Sequence, residues 1–404
     1  MTRLNGLPDL RLNAPSVAAS RSDSAPATVV LMMPDLRKDN PYQRLLARSL
    51  ESQGFHVCFP VGYRRILPFF RAVRENRSSS ILHLHWTLPY LRAQSRIIFI
   101  IRAVKFLCDL TLVRCSGRPL VWTVHNLVPH ESRFPRLELW VRRMLCRAAG
   151  AVIVHGSAGK QQAIAKFGCI PEKIAIIPHG HYQDVYSPSP PRQTSRQNLN
   201  LPDKTTMLFF GMVRPYKGMP MLLRAWRALA AAEAQLVIAG PCSPEYRHEL
   251  DMIAPDVAGV IWHDHWIAEE DLPLYFGAAD VVVLPFERVQ TSGSVMLAIT
   301  YGKPIITPRL GELPETLAGA DDLMYQPGDE AALTKSLRES LSKDLNDIAR
   351  RTALVAERFD WEPIAQRTAL VYRRVIAKSR RESQRTNGRC ISRAAVNESL
   401  DHES

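Results

Sequence analysis

Short apolar runs recur along the chain, and a predicted helix follows most of them. In the first half the runs lie at 28–33, 56–60, 81–85, 119–124, 151–155 and 173–177, and in the second half at 207–210, 235–239, 260–262, 280–284 and 304–307. Runs of this length are typical of buried strands, and strands that alternate with helices form parallel sheets. The pattern therefore predicts an α/β chain with two doubly wound parallel sheets.

A polar, proline-rich stretch separates the two series of strands. It begins Ser-Pro-Ser-Pro-Pro-Arg-Gln-Thr-Ser, a composition typical of an interdomain linker. Both ends of the chain are polar, and polar ends without apolar periodicity favour disorder. We therefore expect a disordered leader (1–27), an N-terminal domain (28–186), the linker (187–200), a second domain (201–360), a C-terminal helix (361–379) and a disordered tail (380–404).

Positive charge is concentrated in the first half of the chain. Residues 1–186 hold 26 Lys and Arg against 11 Asp and Glu, a net charge of +15, whereas residues 187–404 hold 26 against 28, a net charge of −2. The first domain is therefore expected to meet an anionic partner. A nucleic-acid-binding protein would explain this charge, but the sequence has no interleaved aromatic and basic residues and no known nucleic-acid motif. We expect no nucleic-acid partner.

Two basic segments of the first half also carry large apolar side chains. In a predicted helix over 91–115, the longest uncharged apolar run, 97–101, is too short to span a bilayer. The alternative for this helix is a solvated basic face over a core stripe. Apolar side chains beside cations suit an interfacial anchor, which predicts a peripheral protein on the anionic inner face of the cell membrane. The basic residues are Arg92, Arg96, Arg102, Lys105 and Arg114 in the helix, and Arg64, Arg65, Arg71, Arg74 and Arg77 beside Leu67, Phe69 and Phe70.

The cysteines and the N-terminal sequence bear on the compartment. The chain has seven cysteines, an odd number, and no Cys-x-x-Cys pair, which argues against a disulfide framework or a zinc ribbon. Residues 1–27 lack the apolar core of a secretory signal. Both observations favour a reducing, cytoplasmic location.

Two loops of the second half have the composition of phosphate sites. Gly211 ends an apolar strand, and Arg214 and Lys217 follow it before a helix begins at 219. Ser292, Gly293 and Ser294 precede a helix over 295–301 and offer hydroxyl and backbone N–H groups. Cations and helix N-termini bind phosphate or pyrophosphate. The alternative for the first loop is an ordinary basic surface turn.

Histidines cluster at the carboxyl ends of the predicted strands, where parallel α/β sheets bind ligands. Pairs such as His83/His85 and His179/His181 could suggest a metal site, but no cysteine or carboxylate recurs at ligand spacing. We therefore expect no metal. His125 could be a core histidine bonded to the backbone, but its position at a strand terminus between Thr123 and Asn126 favours an active-site role.

Taken together, these segments resemble a GT-B glycosyltransferase, in which two Rossmann-like domains face each other across a cleft. The Phe-Gly at 210–211, the Lys-Gly at 217–218, the Gly-Lys-Pro at 302–304 and the Pro-Glu at 314–315 resemble glycosyltransferase family 4. The first half resembles more closely the GDP-mannose:glycolipid 4-beta-mannosyltransferase group of exopolysaccharide assembly. The shared segments lie at 40–42, 82–86, 125–131, 179–182, 214–218 and 292–293.

The resemblance implies roles for particular residues. It assigns donor binding to Gly211, Arg214, Lys217, Glu287, Ser292, Gly293 and Ser294. Candidate catalytic residues are His125, His85 and Glu131, and candidate acceptor or sugar contacts are Asp35, Asn40, Asn126, His130, His179 and His181. An inverting reaction needs a general base, for which His125, His85, Glu131 and Asp35 all qualify, whereas in a retaining reaction His125 would contact the sugar.

The chain also departs from family 4. The family usually has arginine directly after the phosphate-loop glycine, and this chain has Met212, for which Arg214 is the expected substitute. The family's two glutamates lie eight positions apart; Glu287 matches the first, but Val295 occupies the second position. The stereochemical course of the reaction therefore stays open.

The function implied is transfer of a hexose, with mannose as a candidate, from a nucleotide-sugar such as GDP-mannose to a lipid-linked saccharide or polysaccharide precursor. Neither a cofactor nor a metal is expected, because cations and helix N-termini can stabilise the leaving diphosphate. The alternative is a nucleic-acid-binding or sugar-phosphate-binding protein without transferase activity.

Overall fold

The computed structural model describes residues 28–38, 40–62, 66–125, 133–255 and 257–400, and side chains are described for all of these except 383 and 385–400. Two six-stranded parallel sheets organise the described chain, with helices on both faces of each. This confirms the prediction of two doubly wound α/β domains. The predicted leader, 1–27, lies outside the described residues.

The first sheet has the strand order β2-β1-β3-β4-β5-β6. Its central strands are buried almost throughout, because helices cover both faces and every side chain then meets apolar neighbours. The strands are β1 (Thr28–Met33), β2 (Phe55–Cys58), β3 (Ser79–Leu84), β4 (Leu120–Thr123), β5 (Ala151–Val154) and β6 (Ile174–Ile176), and the helices are α1 (Tyr42–Glu51), α2 (Pro68–Glu75), α3 (Leu88–Leu91), α4 (Arg96–Cys115), α5 (Pro135–Ala148) and α6 (Ser157–Phe167).

The second sheet has the strand order β12-β11-β10-β7-β8-β9. The sequence pattern predicts its first five strands and misses β12, because two residues are too few to form a pattern. The strands are β7 (Thr205–Phe210), β8 (Ala234–Ala239), β9 (Val260–His263), β10 (Val281–Val283), β11 (Ile305–Pro308) and β12 (Met324–Tyr325). The helices that follow α6 are α7 (Arg192–Asn198), α8 (Met219–Leu229), α9 (Pro244–Ile253), α10 (Leu272–Ala278), α11 (Gly293–Thr300), α12 (Leu313–Thr316), α13 (Glu330–Ser340), α14 (Leu345–Ala356) and α15 (Trp361–Leu400).

The predicted linker 187–200 is not an extended spacer throughout, because it contains α7. The buried Arg196 of this helix pairs with Asp203 and with Asp280, the latter at 2.6 Å. A buried arginine is stable only when it is paired in this way. The linker is therefore anchored to the second domain.

The last helix, α15, crosses back to the first domain and packs on α1. Tyr372 of α15 bonds to His83 at the end of β3 with a 2.6 Å contact, and Trp361 donates to the carbonyl of His181 at 2.7 Å. The helix continues to Leu400, which corrects the prediction of a disordered tail from 380. The local composition allows this, because 380–400 contains no proline and five of its 21 residues are Arg, a good helix former.

Two further features differ from expectation. The predicted helix 91–115 begins only at Arg96, as α4, after the separate short helix α3 ends at Leu91, and Ser95 caps α4 by accepting from Ile98 N. Cys146 and Cys169 form one buried disulfide, which is a single crosslink and not a framework. In the described part of the chain, no helix combines the length and the apolar character needed to cross a membrane.

Candidate active site

The loop after β7 brings Lys217 and Ser294 together over Gly211. A methyl group on Gly211 would lie 2.9 Å from Lys217 Nζ and 3.2 Å from Ser294 Oγ, and the residue has φ near +100°. The left-handed backbone therefore favours glycine there, and a side chain would displace the Lys217 ammonium. Burial, and then the nearby Arg214, lower the pKa of Lys217 to about 8. A buried ammonium beside a hydroxyl at a helix start has the chemistry to bind an anion, and donor binding here stays a prediction.

Gly218 lets the loop after β7 pack closely against the loop after β10. Its φ is +73°, and a methyl group there would collide with the carbonyl oxygen of Pro285 after β10. The same two loops are joined by a hydrogen bond from Glu287 N to the carbonyl of Tyr216 at 2.9 Å. Glu287 is exposed beside this contact, and its donor role stays a prediction.

Arg214 and Met212 lie side by side on the same loop. The Arg214 guanidinium contacts the Met212 sulfur, with Nη2 to Sδ at 3.0 Å. Arg214 therefore stands next to the position where family 4 usually has its arginine. This geometry is compatible with the expected substitution, although a donor role for Arg214 stays a prediction.

Helix α11 begins at the second phosphate loop. Ser292 Oγ accepts from Val295 N at 3.4 Å, so this side chain caps the helix. The N–H groups of the first helical turn have no intrahelical partner. Gly293 and Ser294 therefore present the positive end of α11 toward Lys217.

Four histidines and one tyrosine fill the carboxyl edge of the first sheet. The Tyr42 ring lies between 4.8 and 5.9 Å, centroid to centroid, from the rings of His85, His125, His155 and His179. Hydrogen-bond distances of 3.0 Å and 3.2 Å link His85 to His125 and His125 to His155. The structure thus unites His85, His125 and His179, which the sequence singled out separately.

Burial determines the electrostatics of this histidine cluster. It lowers the pKa of His155 to about 3 and that of His179 to about 4, and it lowers the pKa of His85 and His125 well below the usual value. The neighbouring histidines lower the pKa of His85, His125 and His155 further. The cluster is therefore neutral at physiological pH.

Other predicted site residues have structural partners. Asn40 Oδ1 accepts from Tyr42 N at 2.9 Å at the start of α1. Asp35 forms a two-point ion pair with Arg37, which lowers the pKa of Asp35. His181 bonds to Asp360 at 2.6 Å and accepts from Gln183 N. Ligand contacts for these residues stay predictions. Asn126, His130 and Glu131 lie outside the described residues.

The two domains touch around the start of α6. Glu315 Oε2 accepts from Ser157 N at 2.8 Å, and the buried Glu312 lies against Gly156 and Gly159 while accepting from Gln290 at 2.7 Å. Burial raises the pKa of Glu312 to about 7, although the Gln290 hydrogen bond opposes the shift. Thr291 also reaches the carbonyl oxygen of His125 at 3.4 Å. Thr291, which directly precedes Ser292, is thus in contact with the backbone of the histidine cluster.

Sequence reasoning missed several of these residues. His155 directly follows β5, so its place at a strand end was a usable signal. Tyr42 lies in the shared segment 40–42 but was not assigned a role, and Gln290 and Glu312 were not assigned one either, because only the folded chain brings them to the cleft. In the described residues, no group of three or more His, Cys, Asp or Glu could hold a metal ion.

Two family matches divide the chain as its two domains do. Residues 28–181 match the family described as Glycosyltransferase Family 4, and residues 204–343 match the family described as Glycosyl transferases group 1. A "GDP-mannose:glycolipid 4-beta-D-mannosyltransferase" from Xanthomonas campestris pv. campestris is 28% identical over 298 residues, which are 72% of this chain and 77% of that protein. The chain is a glycosyltransferase.

Further relatives of this glycosyltransferase include a "D-inositol 3-phosphate glycosyltransferase" from Kineococcus radiotolerans. It is 26% identical over 290 residues, or 64% of this chain and 66% of that protein. The predicted resemblance to family 4 and to the mannosyltransferase group is thereby confirmed.

Solved structures agree on the architecture. Sucrose-phosphate synthase from Thermosynechococcus elongatus superposes with a TM-score of 0.66 at 18% identity, covering 87% of this chain and 99% of that one. Anabaena Alr3699/HepE, solved with UDP and glucose, gives 0.64 at 19% identity, covering 85% and 98%. WaaG, described as a glycosyltransferase involved in lipopolysaccharide biosynthesis, gives 0.59 at 15% identity, covering 84% and 98%. The glycosyltransferase has the GT-B fold.

Proposed function

We propose that this glycosyltransferase moves a hexose from a nucleoside-diphosphate sugar to a glycolipid or polysaccharide-precursor acceptor in the assembly of a cell-surface glycan. The observation that supports it most is the convergence of Lys217 and Ser294 over Gly211, at the end of β7 and the start of α11. The diphosphate of a donor would lie there. The leaving negative charge would meet the Lys217 ammonium and the first-turn N–H groups of the helix.

We further propose that the reaction needs no metal ion. In metal-free transfer the protein itself stabilises the leaving diphosphate, and the phosphate loop supplies an ammonium and a helix start for this purpose. Glu287, exposed beside Gly218, would accept hydrogen bonds from hydroxyls of the sugar or the ribose. The family 4 resemblance of the loop supports this arrangement.

Mannose and GDP are the first donor components to test. The support is the name of the Xanthomonas relative, which specifies GDP-mannose and a glycolipid. Calorimetry with GDP, UDP, GDP-mannose and UDP-glucose would rank the nucleotide and the sugar separately. We expect GDP-mannose to bind most tightly. A tighter response to UDP-glucose would contradict the mannose assignment while leaving the proposed transfer intact.

Transfer itself separates an enzyme from a sugar-phosphate-binding protein. Radiolabelled donor and a lipid-linked acceptor should give a labelled lipid product, in EDTA as well as in buffer. Loss of turnover in EDTA with recovery in manganese or magnesium would contradict the metal-free proposal. Donor binding without transfer to any lipid-linked acceptor would favour the binding-protein alternative.

The surface of α4 supports a lipid acceptor. Its inner side packs through Phe99, Ala103 and Phe106, while Ile97 and Ile101 on the outer side are 72% and 61% exposed. A helix that is apolar on both sides is unusual on a protein surface exposed only to water.

Cations surround this apolar face. Arg96 and Arg102 lie on the helix beside the exposed isoleucines, and Arg92 precedes it. Two adjacent cavities of about 570 and 490 Å³ lie against the same helix, and both are lined by Leu88, Arg92 and Arg102. We propose that this surface, formed by α4 and Arg92, docks on anionic lipid on the inner face of the cell membrane, with each cation contributing about 1 kcal/mol.

Vesicle sedimentation tests the docking surface. Changing Arg92, Arg96 and Arg102 to Glu should abolish sedimentation with anionic vesicles at low salt. A matched control changes Arg227, Lys335 and Arg350 of the second domain to Glu and should still sediment. Equal binding to neutral and anionic vesicles, or no binding by the unchanged protein, would contradict membrane docking without affecting the transfer assay on a soluble acceptor.

A further inference from the structure

A directed chain of hydrogen bonds joins three histidines at the carboxyl edge of the first sheet. His155 Nδ1 lies 3.0 Å from the carbonyl oxygen of Ile177, and His155 Nε2 lies 3.2 Å from His125 Nδ1. His125 Nε2 lies in turn 3.0 Å from His85 Nδ1. A backbone carbonyl only accepts hydrogen bonds, so His155 must carry its proton on Nδ1. The position of the proton at the His155 end of this hydrogen-bond chain is therefore fixed.

Neutral rings allow a single arrangement of protons along this chain. Burial lowers the pKa of all three histidines, so each ring carries one N–H. His155 Nε2 then accepts from His125 Nδ1–H, and His125 Nε2 accepts from His85 Nδ1–H. All three rings adopt the Nδ1–H tautomer, which is the less populated one of a free neutral histidine.

The arrangement ends in a bare lone pair on His85 Nε2. This nitrogen is buried and has no hydrogen-bond partner among the described residues. Orphaned buried acceptors are rare because they are costly, and they call for an explanation. His85 also lines a cavity of about 70 Å³ with Trp86, Thr87 and His125, which is room enough for a water molecule or a substrate hydroxyl.

We propose that His85 accepts the proton of the acceptor hydroxyl, and that His125 and His155 are positioning residues that hold it in the Nδ1–H tautomer. The proposal rests on the proposed glycosyl transfer. It chooses one base among the candidates that the sequence left open. His125, although central in the cluster, uses both ring nitrogens within the chain and has none left for a substrate.

The proton and electron movements balance without a further reactant. The hydroxyl proton passes to His85 Nε2 while the hydroxyl oxygen bonds to the anomeric carbon. The bond from that carbon to the diphosphate oxygen breaks, and its electron pair leaves with the nucleoside diphosphate. The Nδ1 proton of His85 can then move to His125 Nε2, and that of His125 to His155 Nε2, so three rings share the charge. Direct displacement of this kind inverts the anomeric centre.

Nitrogen-15 NMR of the full chain tests the tautomers without any assay of activity. Two-bond proton–nitrogen spectra distinguish protonated from bare ring nitrogens, and single substitutions assign each histidine. We expect protonated Nδ1 and bare Nε2 at His85, His125 and His155. A protonated Nε2 on His85 would overturn the proposal, whatever the enzyme transfers.

Two substitutions at one position separate positioning from packing. His155→Gln keeps an amide oxygen that can accept from His125 Nδ1–H, whereas His155→Phe removes the acceptor. We expect the Gln variant to keep the tautomers of His125 and His85 and most of kcat, and the Phe variant to lose both. Equal kcat in both variants, or loss of kcat with unchanged tautomers, would overturn the positioning role. If His155→Phe does not fold, the tautomers measured in the unchanged protein still test the proposal.

His85→Gln tests the base itself. We expect kcat to fall about a hundredfold or more, as for loss of a general base, while donor affinity by calorimetry stays unchanged. The product of the unchanged enzyme should have the inverted anomeric configuration. Retained configuration, or full activity of His85→Gln, would overturn proton acceptance by His85. Failure of the unchanged protein to bind any nucleotide-sugar would instead contradict the proposed function.

Discussion

The carboxyl edges of the two sheets meet at one cleft and differ in charge and burial. The first-domain edge holds neutral, buried imidazoles around Tyr42, and the second-domain edge holds the Lys217 ammonium next to the start of α11. Cations and helix N-termini suit a leaving diphosphate, whereas neutral imidazoles suit proton transfer from a hydroxyl. The net charges of the two halves would suggest that the first-domain edge is the cationic one. Instead, the basic half contains the neutral edge. Local burial, not net charge, determines the chemistry of each edge.

The largest expected effect concerns Gly218, which lets the proposed phosphate loop pack closely against the loop after β10. Gly218→Ala would combine a left-handed backbone with a collision against the Pro285 carbonyl. We expect donor affinity to fall roughly a thousandfold, or about 4 kcal/mol, by calorimetry. Gly168→Ala is the control, because it has a similar φ of +66° with open space around it. Unchanged donor affinity in Gly218→Ala would show that the donor does not use this loop.

The next effect concerns Glu312, a buried carboxyl group of the second domain that packs against the start of α6 in the first domain. Burial raises the pKa of Glu312 from 4.5 to about 7. The stability that this group contributes is therefore complete below pH 4.5 and is lost as pH rises through 7, by roughly 3 kcal/mol at most. Glu312→Gln should remove this loss, so its melting temperature should change less between pH 5 and pH 8. The exposed Glu249→Gln is the control, and parallel melting curves for all three proteins would contradict the prediction.

A smaller effect tests whether the donor binds at the second-domain edge without involving the histidine cluster. Lys217→Ala should weaken donor binding by about 1.5–3 kcal/mol, or roughly ten- to a hundredfold, because it removes a charged hydrogen bond. The tautomers of the histidine cluster should not change. Lys204→Ala, at the other end of β7, is the matched control. Equal donor affinity in both variants by calorimetry would remove Lys217 from the donor site.

The smallest effect tests which histidines belong to the chemistry. His83 bonds to Tyr372 and Thr123 and is not part of the three-histidine chain. Tyr372→Phe should therefore lower the free energy of unfolding by about 1–3 kcal/mol, because it leaves a buried nitrogen unpaired, and should leave kcat unchanged. Denaturant unfolding and a transfer assay measure the two quantities. A fall in kcat without loss of stability would place His83 in the reaction.

The resemblance gave the proposed donor site a sharper local signature than it gave the proposed base. Gly211, Lys217 and Ser294 come from short motifs with a local signature, a strand end and a helix start. His85, His125 and His179 had their strand-end positions and the shared segments around them, and His155, outside those segments, was overlooked. Which nitrogen carries the proton on each ring depends on partners up to 40 residues apart, and no local pattern contains this information.

The sequence by itself determined the two parallel sheets and the strand, loop and helix around Gly211, because each depends on contiguous residues and their periodicity. The tertiary structure decided the rest. It brought β3, β4 and β5 side by side, so that His85, His125 and His155 form one hydrogen-bonded chain. It also returned α15 to the first domain and set Glu312 against α6. Such contacts join distant segments, and their geometry is fixed only when the whole chain has packed.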